Sequence, residues 1–484
     1  MRVLFIAAEL HPFVKTGGLG DVSAALPAAL RAHGIDVRLL LPALPAIRAG
    51  MPAAKPVAAL PPCFGTHTAR VLAAQVPGSD VPAYLVDAPD LYQRAGNPYA
   101  DPNGHDWPDN HLRFALFGAV AAALAEGEID RAWCADVAHG HDWHAGLMPA
   151  YLAARGARTA ASVMTIHNLS FPGLFPAAVF RDLALPAGFF APEGVEFWGH
   201  VSFMKAGLQF CDRITAVSPA YASEICTPEF GCGLDGLLRR REQVLDGILN
   251  GIDMTLWDPR CDGTLVNGFG PDELAGKRDC KRALQRAFGL HERGDVPIAG
   301  IVSRLTEQKG VDLVVAAAAE LLSAGLQLIV LGTGERPIEK ALSDLAAAYP
   351  GRIGVRIGFD EAAAHRIIAG ADMLLMPSRF EPCGLTQMYA MRYGTIPIVR
   401  RVGGLADTVV DVDTPELAGE PTGFVFERAA PADLVTAARR AAARYRDPAV
   451  WRTLQRTGMT RDFSWSGAAQ RYVEIYRQAV AAVR

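Results

Sequence analysis

The chain has 484 residues, half of them hydrophobic and a fifth charged, with a net charge of -4. That length admits two or three domains with sizeable cores, and the composition excludes a disordered chain. Acids and bases are interspersed and no stretch reaches the roughly 18 apolar residues of a membrane span, so neither nucleic acid nor a membrane is an expected partner.

The chain opens on Val3-Leu-Phe-Ile-Ala-Ala8, which reads as a buried strand. It is too short for a signal peptide and lacks a cleavage pattern. The eight cysteines form no C-x-x-C pair and no metal-ligand cadence, and Cys226 and Cys232 are the closest two. Scattered in this way they point to reduced thiols in a cytoplasm. After the first strand comes a glycine loop, Lys15-Thr16-Gly17-Gly18-Leu19-Gly20-Asp21, then a helix to His33 that Pro27 should kink, then a strand at Val37–Leu41. Strand, glycine turn, helix and strand open a doubly wound sheet. The loop is neither G-x-G-x-x-G nor a Walker A motif. It either presents backbone amides and Lys15 to an anion or is a flexible surface turn.

Residues 42 to 110 are less regular, with a short strand at Pro82–Val86 and a polar loop from Asn97 to Asn110. A helix spans Asn110–Glu126. A strand at Asp136–His139 leads into Gly140-His141-Asp142-Trp143-His144 and a further helix. This histidine cluster suits structural use and sugar contacts better than a metal. The strand Ser162–Ile166 ends in His167-Asn168, placed either to hydrogen-bond a polar ligand or to be satisfied by local backbone. Phe171 to Trp198 is a long aromatic, Gly/Pro-rich excursion of the kind that covers clefts. Helices at Val201–Phe210 and Pro219–Cys226 flank a strand at Ile214–Val217, and Ile248-Leu-Asn250-Gly251 ends the first half.

Arg260 to Asp279 is polar and Gly-rich and reads as a link between domains. The second half then repeats the strand–loop–helix logic. Pro297–Val302 is a strand ending in Ser303-Arg304 with Lys309-Gly310 beyond it, and Val311–Ser323 is a helix. Leu326–Leu331 and Ile353–Gly358 are strands, and Glu361–Ala369 is a helix. The strand before Ser378 leads to Phe380-Glu381-Pro382-Cys383-Gly384-Leu385-Thr386 and a helix from Thr386 to Tyr393, with Pro382 near its start. Glu381 would thus stand at the carboxyl end of a strand, where open sheets bind ligands, beside the amides of Gly384, Leu385 and Thr386. It either grips ligand hydroxyls next to an anion or caps the helix. Ile396–Val399, Gly403-Gly404, Gly423–Phe426 and three helical patterns complete the chain. The fold class is α/β, two doubly wound halves whose cleft is the natural site. No sustained heptad repeat sets an oligomeric state.

Taken in order, Lys15-Thr-Gly-Gly-Leu19, His141-Asp-Trp-His144, His167-Asn168, Ser303-Arg304 with Lys309-Gly310, and Glu381-Pro-Cys-Gly-Leu385 resemble the bacterial glycogen and plant starch synthases. These are retaining glucosyltransferases, and the resemblance runs the whole length. It implies a GT-B fold of two Rossmann-like domains facing a deep cleft. The first would be residues 1–250, completed by a returning helix at about 465–484, and the second residues 251–464. It implies ADP-glucose as donor, an α-1,4-glucan (glycogen) as acceptor, and no cofactor or metal.

The physical roles follow from that chemistry. Arg304 and Lys309 would neutralise the leaving diphosphate, aided by Lys15 from the opposite domain and by the amides of Gly17, Gly18, Leu385 and Thr386. Glu381 would hold sugar hydroxyls, and His167 would orient the glucose. By resemblance, Phe359 lies against the adenine, and Asp21 and Asn250 contact glucose or phosphate. Asn168, Cys383 and Gly384 join the substrate-binding set, with Cys383 as a small packed residue. Asp142 suits binding of the acceptor or of a loop better than nucleophilic attack, and the resemblance points to front-face attack without a carboxylate nucleophile. A UDP-glucose-dependent sibling, a glycoside hydrolase using Glu381 and Asp142, and a nucleotide-sugar-binding protein without activity are the competing readings. The cations Lys15, Arg304 and Lys309 speak against a hydrolase.

Overall fold

Each buried apolar run becomes a strand in the computed structural model, which describes residues 1–156, 158–414 and 420–483. The chain divides into two compact units, Met1–Gly251 with Trp465–Arg484, and Ile252–Ser464.

The strands of the first unit are β1 (Arg2–Ile6), β2 (Asp36–Pro42), β3 (Lys55–Ala59), β4 (Arg70–Gln75), β5 (Pro82–Asp87), β6 (Val137–His141), β7 (Ala161–Ile166), β8 (Leu174–Pro176), β9 (Glu196–Phe197), β10 (His200–Ser202), β11 (Arg213–Ala216) and β12 (Leu245–Gly247). Nine of them form one sheet in the order β12-β11-β7-β6-β1-β2-β5-β4-β3. β1 lies parallel to both β2 and β6, with Phe5 beside Leu39 on one side and His139 on the other. From Val3 to Ile6 the strand is wholly buried, as a run covered on both faces must be. The strand order reverses at β1 and β6, so ligands are expected above their carboxyl ends. Only the edge is antiparallel, where β4 pairs with β3 and β5.

Helix Gly18–Ala32 follows β1 and runs through Pro27, which does not end it. Helix Trp465–Val483 buries Tyr472, Val473, Ile475 and Tyr476 and packs on helix Gly18–Ala32 and on β7. The residues from Phe171 onward are not a bare loop. They build a small antiparallel sheet, β8-β10-β9, and β10 takes Val201 from the expected helix. That helix starts at Phe203, because the Ser202 hydroxyl accepts the Lys205 N–H and caps it.

The second unit holds β13 (Ile298–Val302), β14 (Gln327–Gly332), β15 (Ile353–Ile357), β16 (Met373–Met376), β17 (Ile396–Arg400) and β18 (Phe424–Phe426). Their order is β15-β14-β13-β16-β17-β18, parallel throughout. One core lies between this sheet and helices Val311–Ser323 and Pro431–Tyr445, with Ile301, Val314, Leu321, Leu375, Leu434 and Trp451 among its members. A smaller one gathers Leu284, Ile329, Leu331 and Ile367. Here the order reverses between β13 and β16.

The segment Arg260–Asp279 is no linker. The Asp262 side chain is buried in the second unit, and its Oδ2 accepts from His365 Nδ1 at 2.7 Å and from the Tyr393 hydroxyl at 2.7 Å. Trp257, just before it, is stacked between His365 and Tyr389 with ring centroids 3.7 and 3.8 Å away. Asp279 already lies in helix Ala275–Ala287. Its polar, glycine-rich composition serves buried hydrogen bonds rather than a solvated tether.

Candidate active site

In the first unit the carboxyl ends of β1, β6 and β7 carry the expected residues. Beyond β1, the Glu9 carboxylate is buried and accepts the Thr16 amide at 2.7 Å, the Thr16 hydroxyl at 2.5 Å and the Tyr99 hydroxyl at 2.6 Å. The Lys15–Gly18 turn is therefore pinned, not a flexible surface turn. Gly17 precedes helix Gly18–Ala32 and Gly18 opens it, so their amides point out of a helix start. Lys15 and Asp21 are brought together, with Nζ 2.8 Å from Oδ1, so the cation is held over the first turn of that helix. Tyr99 is set from below. Asn110 Nδ2 donates to the Tyr99 carbonyl, and the buried Arg113 guanidinium donates to the carbonyls of Leu91 and Pro98.

Asp142 follows β6 with φ 56°, a strained backbone for a non-glycine residue. Its Oδ1 accepts the amides of His167 at 2.7 Å and Asn168 at 3.3 Å, so it shapes the loop after β7. Burial outweighs these hydrogen bonds and pushes its carboxyl up to about 7. His167 bonds His141, its Nε2 2.9 Å from His141 Nδ1, rather than local backbone. Burial pushes the His167 imidazole down to about 3, so it is neutral at pH 7. His139 is structural: Nδ1 meets the Tyr476 hydroxyl at 2.8 Å and Nε2 meets Thr165 Oγ1 at 2.6 Å. His144 stacks on Tyr99 at 4.5 Å. Asn250 is buried, and its Oδ1 has no hydrogen-bond partner among the described residues.

In the second unit the loops after β13 and β16 meet. Lys309 Nζ donates to both oxygens of Glu381, at 2.8 and 2.7 Å, and the Ser378 hydroxyl donates to Oε2 at 3.0 Å. Glu381 is buried and Lys309 nearly so. Glu381 therefore does not cap the following helix, which runs Thr386–Arg392 with Leu385 before it and no side-chain cap. That helix starts at Thr386, as expected, four residues after Pro382. Gly384, at φ 69°, turns the chain into it. Gly310 and Gly403 explain how the strand-end loops approach so closely. Both have positive φ, and an added Cβ would collide with the carbonyl oxygens of Pro377 and Glu381 respectively. Arg304 is exposed, with Nη2 2.9 Å from Gln308 Oε1. Phe359 is 79% exposed beyond β15, while Cys383 is buried. Among the described residues no group of three His, Cys, Asp or Glu side chains is placed to hold a metal ion.

Sequence reasoning missed Glu9, Tyr99 and Ser378. The only signal for Glu9 is an acid directly after a wholly apolar strand. Tyr99 and Ser378 carried none.

Two doubly wound units with anion-ready strand ends define a glycosyltransferase once the relatives are added. Residues 2–240 match the family described as starch synthase catalytic domain, and residues 286–452 match glycosyl transferases group 1. The chain is 50% identical over 483 residues to glycogen synthase 1 of Methylococcus capsulatus, covering 99% of this chain and 97% of that one. It is 50% identical over 488 residues to the glycogen synthase of Leptothrix cholodnii, covering 99% and 100%. Among solved structures, the catalytic domain of Starch Synthase IV from Arabidopsis thaliana bound to ADP and acarbose superposes with a TM-score of 0.88 at 32% identity, over 99% of each chain. Sucrose-phosphate synthase from Thermosynechococcus elongatus shares the fold alone, at TM-score 0.58 and 19% identity. The chain belongs to the glycogen and starch synthase family and is a hexosyltransferase of GT-B fold.

Proposed function

We propose that this chain elongates an α-1,4-glucan at its non-reducing end with glucose from ADP-glucose, retaining the anomeric configuration. The observation that carries the reading is the Lys309–Glu381 pair at the switch point of the second sheet, with Arg304 on the same loop as Lys309 and bonded to Gln308. A diphosphate needs cations, a glucose needs a carboxylate for its hydroxyls, and these loops supply both. The starch synthase neighbour binds ADP and acarbose, a nucleoside diphosphate and an oligosaccharide analogue.

The C1–O bond to the diphosphate breaks as the bond from C1 to the incoming glucan O4 forms. The hydroxyl proton passes to the departing phosphate oxygen. Arg304 and Lys309 offset the charge that collects on that oxygen, with the amides of Leu385 and Thr386. Removing one such cation is expected to cost about 3 kcal/mol, or roughly a hundredfold in rate. Glu381 holds sugar hydroxyls, with Cys383 and Gly384 shaping the turn around it, and Phe359 faces the base. On the first unit we assign Lys15, Gly17, Gly18, Asp21, His167, Asn168 and Asn250 to substrate contacts. The unpartnered Oδ1 of Asn250 supports its place in that set.

Front-face attack is supported by the state of both motif carboxylates. Glu381 is already held by Lys309 and Ser378, and Asp142 is buried and occupied by two amides. We place charge neutralisation on side chains and expect transfer without a metal. All eight cysteines are free thiols, which suits a cytoplasmic enzyme. The test is a transfer assay with labelled ADP-glucose or UDP-glucose, each with and without glycogen, in EDTA. Label entering polymer from ADP-glucose, only with glycogen, is the expected result. Label from UDP-glucose alone would make the donor assignment wrong, and free glucose without polymer would point to hydrolysis.

A further inference from the structure

His141 ends β6 and is wholly buried. Its ring centroid lies 4.0 Å from that of Phe5 and 4.1 Å from that of His139, so it cannot turn freely. Its Nδ1 faces His167 Nε2 at 2.9 Å. Its other nitrogen, Nε2, is buried with no hydrogen-bond partner among the described residues. His139 cannot supply one, since its two nitrogens are engaged by Tyr476 and Thr165. Burial holds both imidazoles of the His141–His167 pair neutral. Each ring then carries one proton, and one of those protons lies between the rings.

Two arrangements satisfy that count. In the first, His167 donates through Nε2, and His141 must carry its own proton on Nε2, where a buried N–H meets no acceptor. In the second, His141 donates through Nδ1, and its Nε2 is only a bare lone pair. A buried N–H without an acceptor is rarer and costlier than an under-used acceptor. We infer that His141 donates to His167 and thereby fixes it as the Nδ1–H tautomer, so that His167 meets its ligand as a hydrogen-bond donor. The bond made by one ring nitrogen decides the state of the other. Asp142 fixes the same residue's main chain through the His167 amide, so ring and backbone are both set from β6.

His141 is thus a positioning residue that acts through His167. The Nδ1–H of His167 suits an oxygen with a free lone pair, such as a sugar hydroxyl or ring oxygen. It cannot take a proton from the incoming hydroxyl, so His167 is no general base in this state. That consequence rests on the transferase reading, whereas the tautomer does not.

The test begins with the full-length protein carrying ¹⁵N-labelled histidine, without substrate. Long-range proton–nitrogen correlation, with His167→Asn for assignment, should show His167 protonated on Nδ1 and bare on Nε2. A proton on Nε2 would overturn the inference. Next, His141→Phe keeps the ring packing and loses the N–H. We expect kcat to fall on the order of 10- to 100-fold with KM for donor little changed, the range seen for partners that orient metal-bound histidines. His141→Asn, whose amide can donate from near the Nδ1 position, should recover part of the loss. A folded His141→Phe protein with wild-type kcat, or an Asn variant no better than Phe, would remove the role of His141. Failure of the transferase reading would show differently, as absence of polymer synthesis by the wild-type chain.

Discussion

Lys309 and Glu381 neutralise each other within one loop pair, and that decides what each substitution does. Lys309→Met leaves a buried carboxylate without its cation. A pair broken from one side is worse than a pair removed whole, because the surviving charge stays uncompensated. Lys309 keeps some exposure, so solvent reduces the loss to about 1–3 kcal/mol. Both Lys309→Met and the double variant with Glu381→Gln should lose transfer by roughly a hundredfold or more. In urea, however, the single variant should unfold at a lower concentration than the double variant. If the two unfolded together, the ion pair would carry no weight in the fold. The sequence pointed to both residues but assigned them to different parts of the substrate. Their pairing depends on β13 lying next to β16, a tertiary fact that residues 72 apart do not announce.

Strand-end loops are where sequence reading succeeded and failed most clearly. The parallel strands were legible because a strand covered on both faces leaves a continuous apolar run, as in β1 and β14. The small sheet β8-β10-β9 was not, since its strands are only two or three residues long and carry no period. Arg260–Asp279 misled for a different reason: Asp262 bonds buried partners that lie 103 and 131 residues away. Gly403 shows how such distant packing fixes the turn that carries Glu381. Gly403→Ala places a Cβ against the Glu381 carbonyl at a backbone angle that L-residues avoid. Relief requires the Glu381 turn to move, so the variant should lose at least about 2 kcal/mol of stability. Its kcat should fall further than that of Gly236→Ala, where added bulk meets open space. Equal kcat in the two variants would show that the turn under Glu381 is not set by this contact. Glu9→Gln probes the matching loop of the first unit. It keeps the shape but removes the charge that Thr16 and Tyr99 donate to. Charge-assisted hydrogen bonds are worth about 1.5–3 kcal/mol, so a raised KM for donor and an earlier unfolding midpoint are expected together.

At the scale of the whole molecule, the buried histidines make stability depend on pH with a definite sign. Burial pushes His139, His144 and His167 down to about 3 and His141 well below its ordinary value. In the unfolded chain each would titrate near pH 6.5. As pH falls below that value the unfolded chain binds protons that the folded chain refuses, so these groups remove stability on acidification. Asp142 opposes them. Its folded carboxyl holds a proton up to about pH 7, while the unfolded one releases it above about 4, so this one group favours the fold as pH falls through that window. Four histidines outweigh one aspartate, and stability should drop by up to about 4 kcal/mol per pH unit near pH 5. Urea midpoints at pH 7.5, 6.0, 5.5 and 5.0 measure that slope. His139→Phe isolates one contributor. It sacrifices the bonds to Tyr476 and Thr165 and is less stable at every pH, but one fewer proton is taken up on unfolding. Its slope should therefore be shallower by about 1.4 kcal/mol per pH unit, whatever its absolute stability. An unchanged slope would mean that the folded protein already carries that proton. A cation would then sit between Tyr476 and Thr165, and helix Trp465–Val483 would be closing over a charge rather than over a neutral ring.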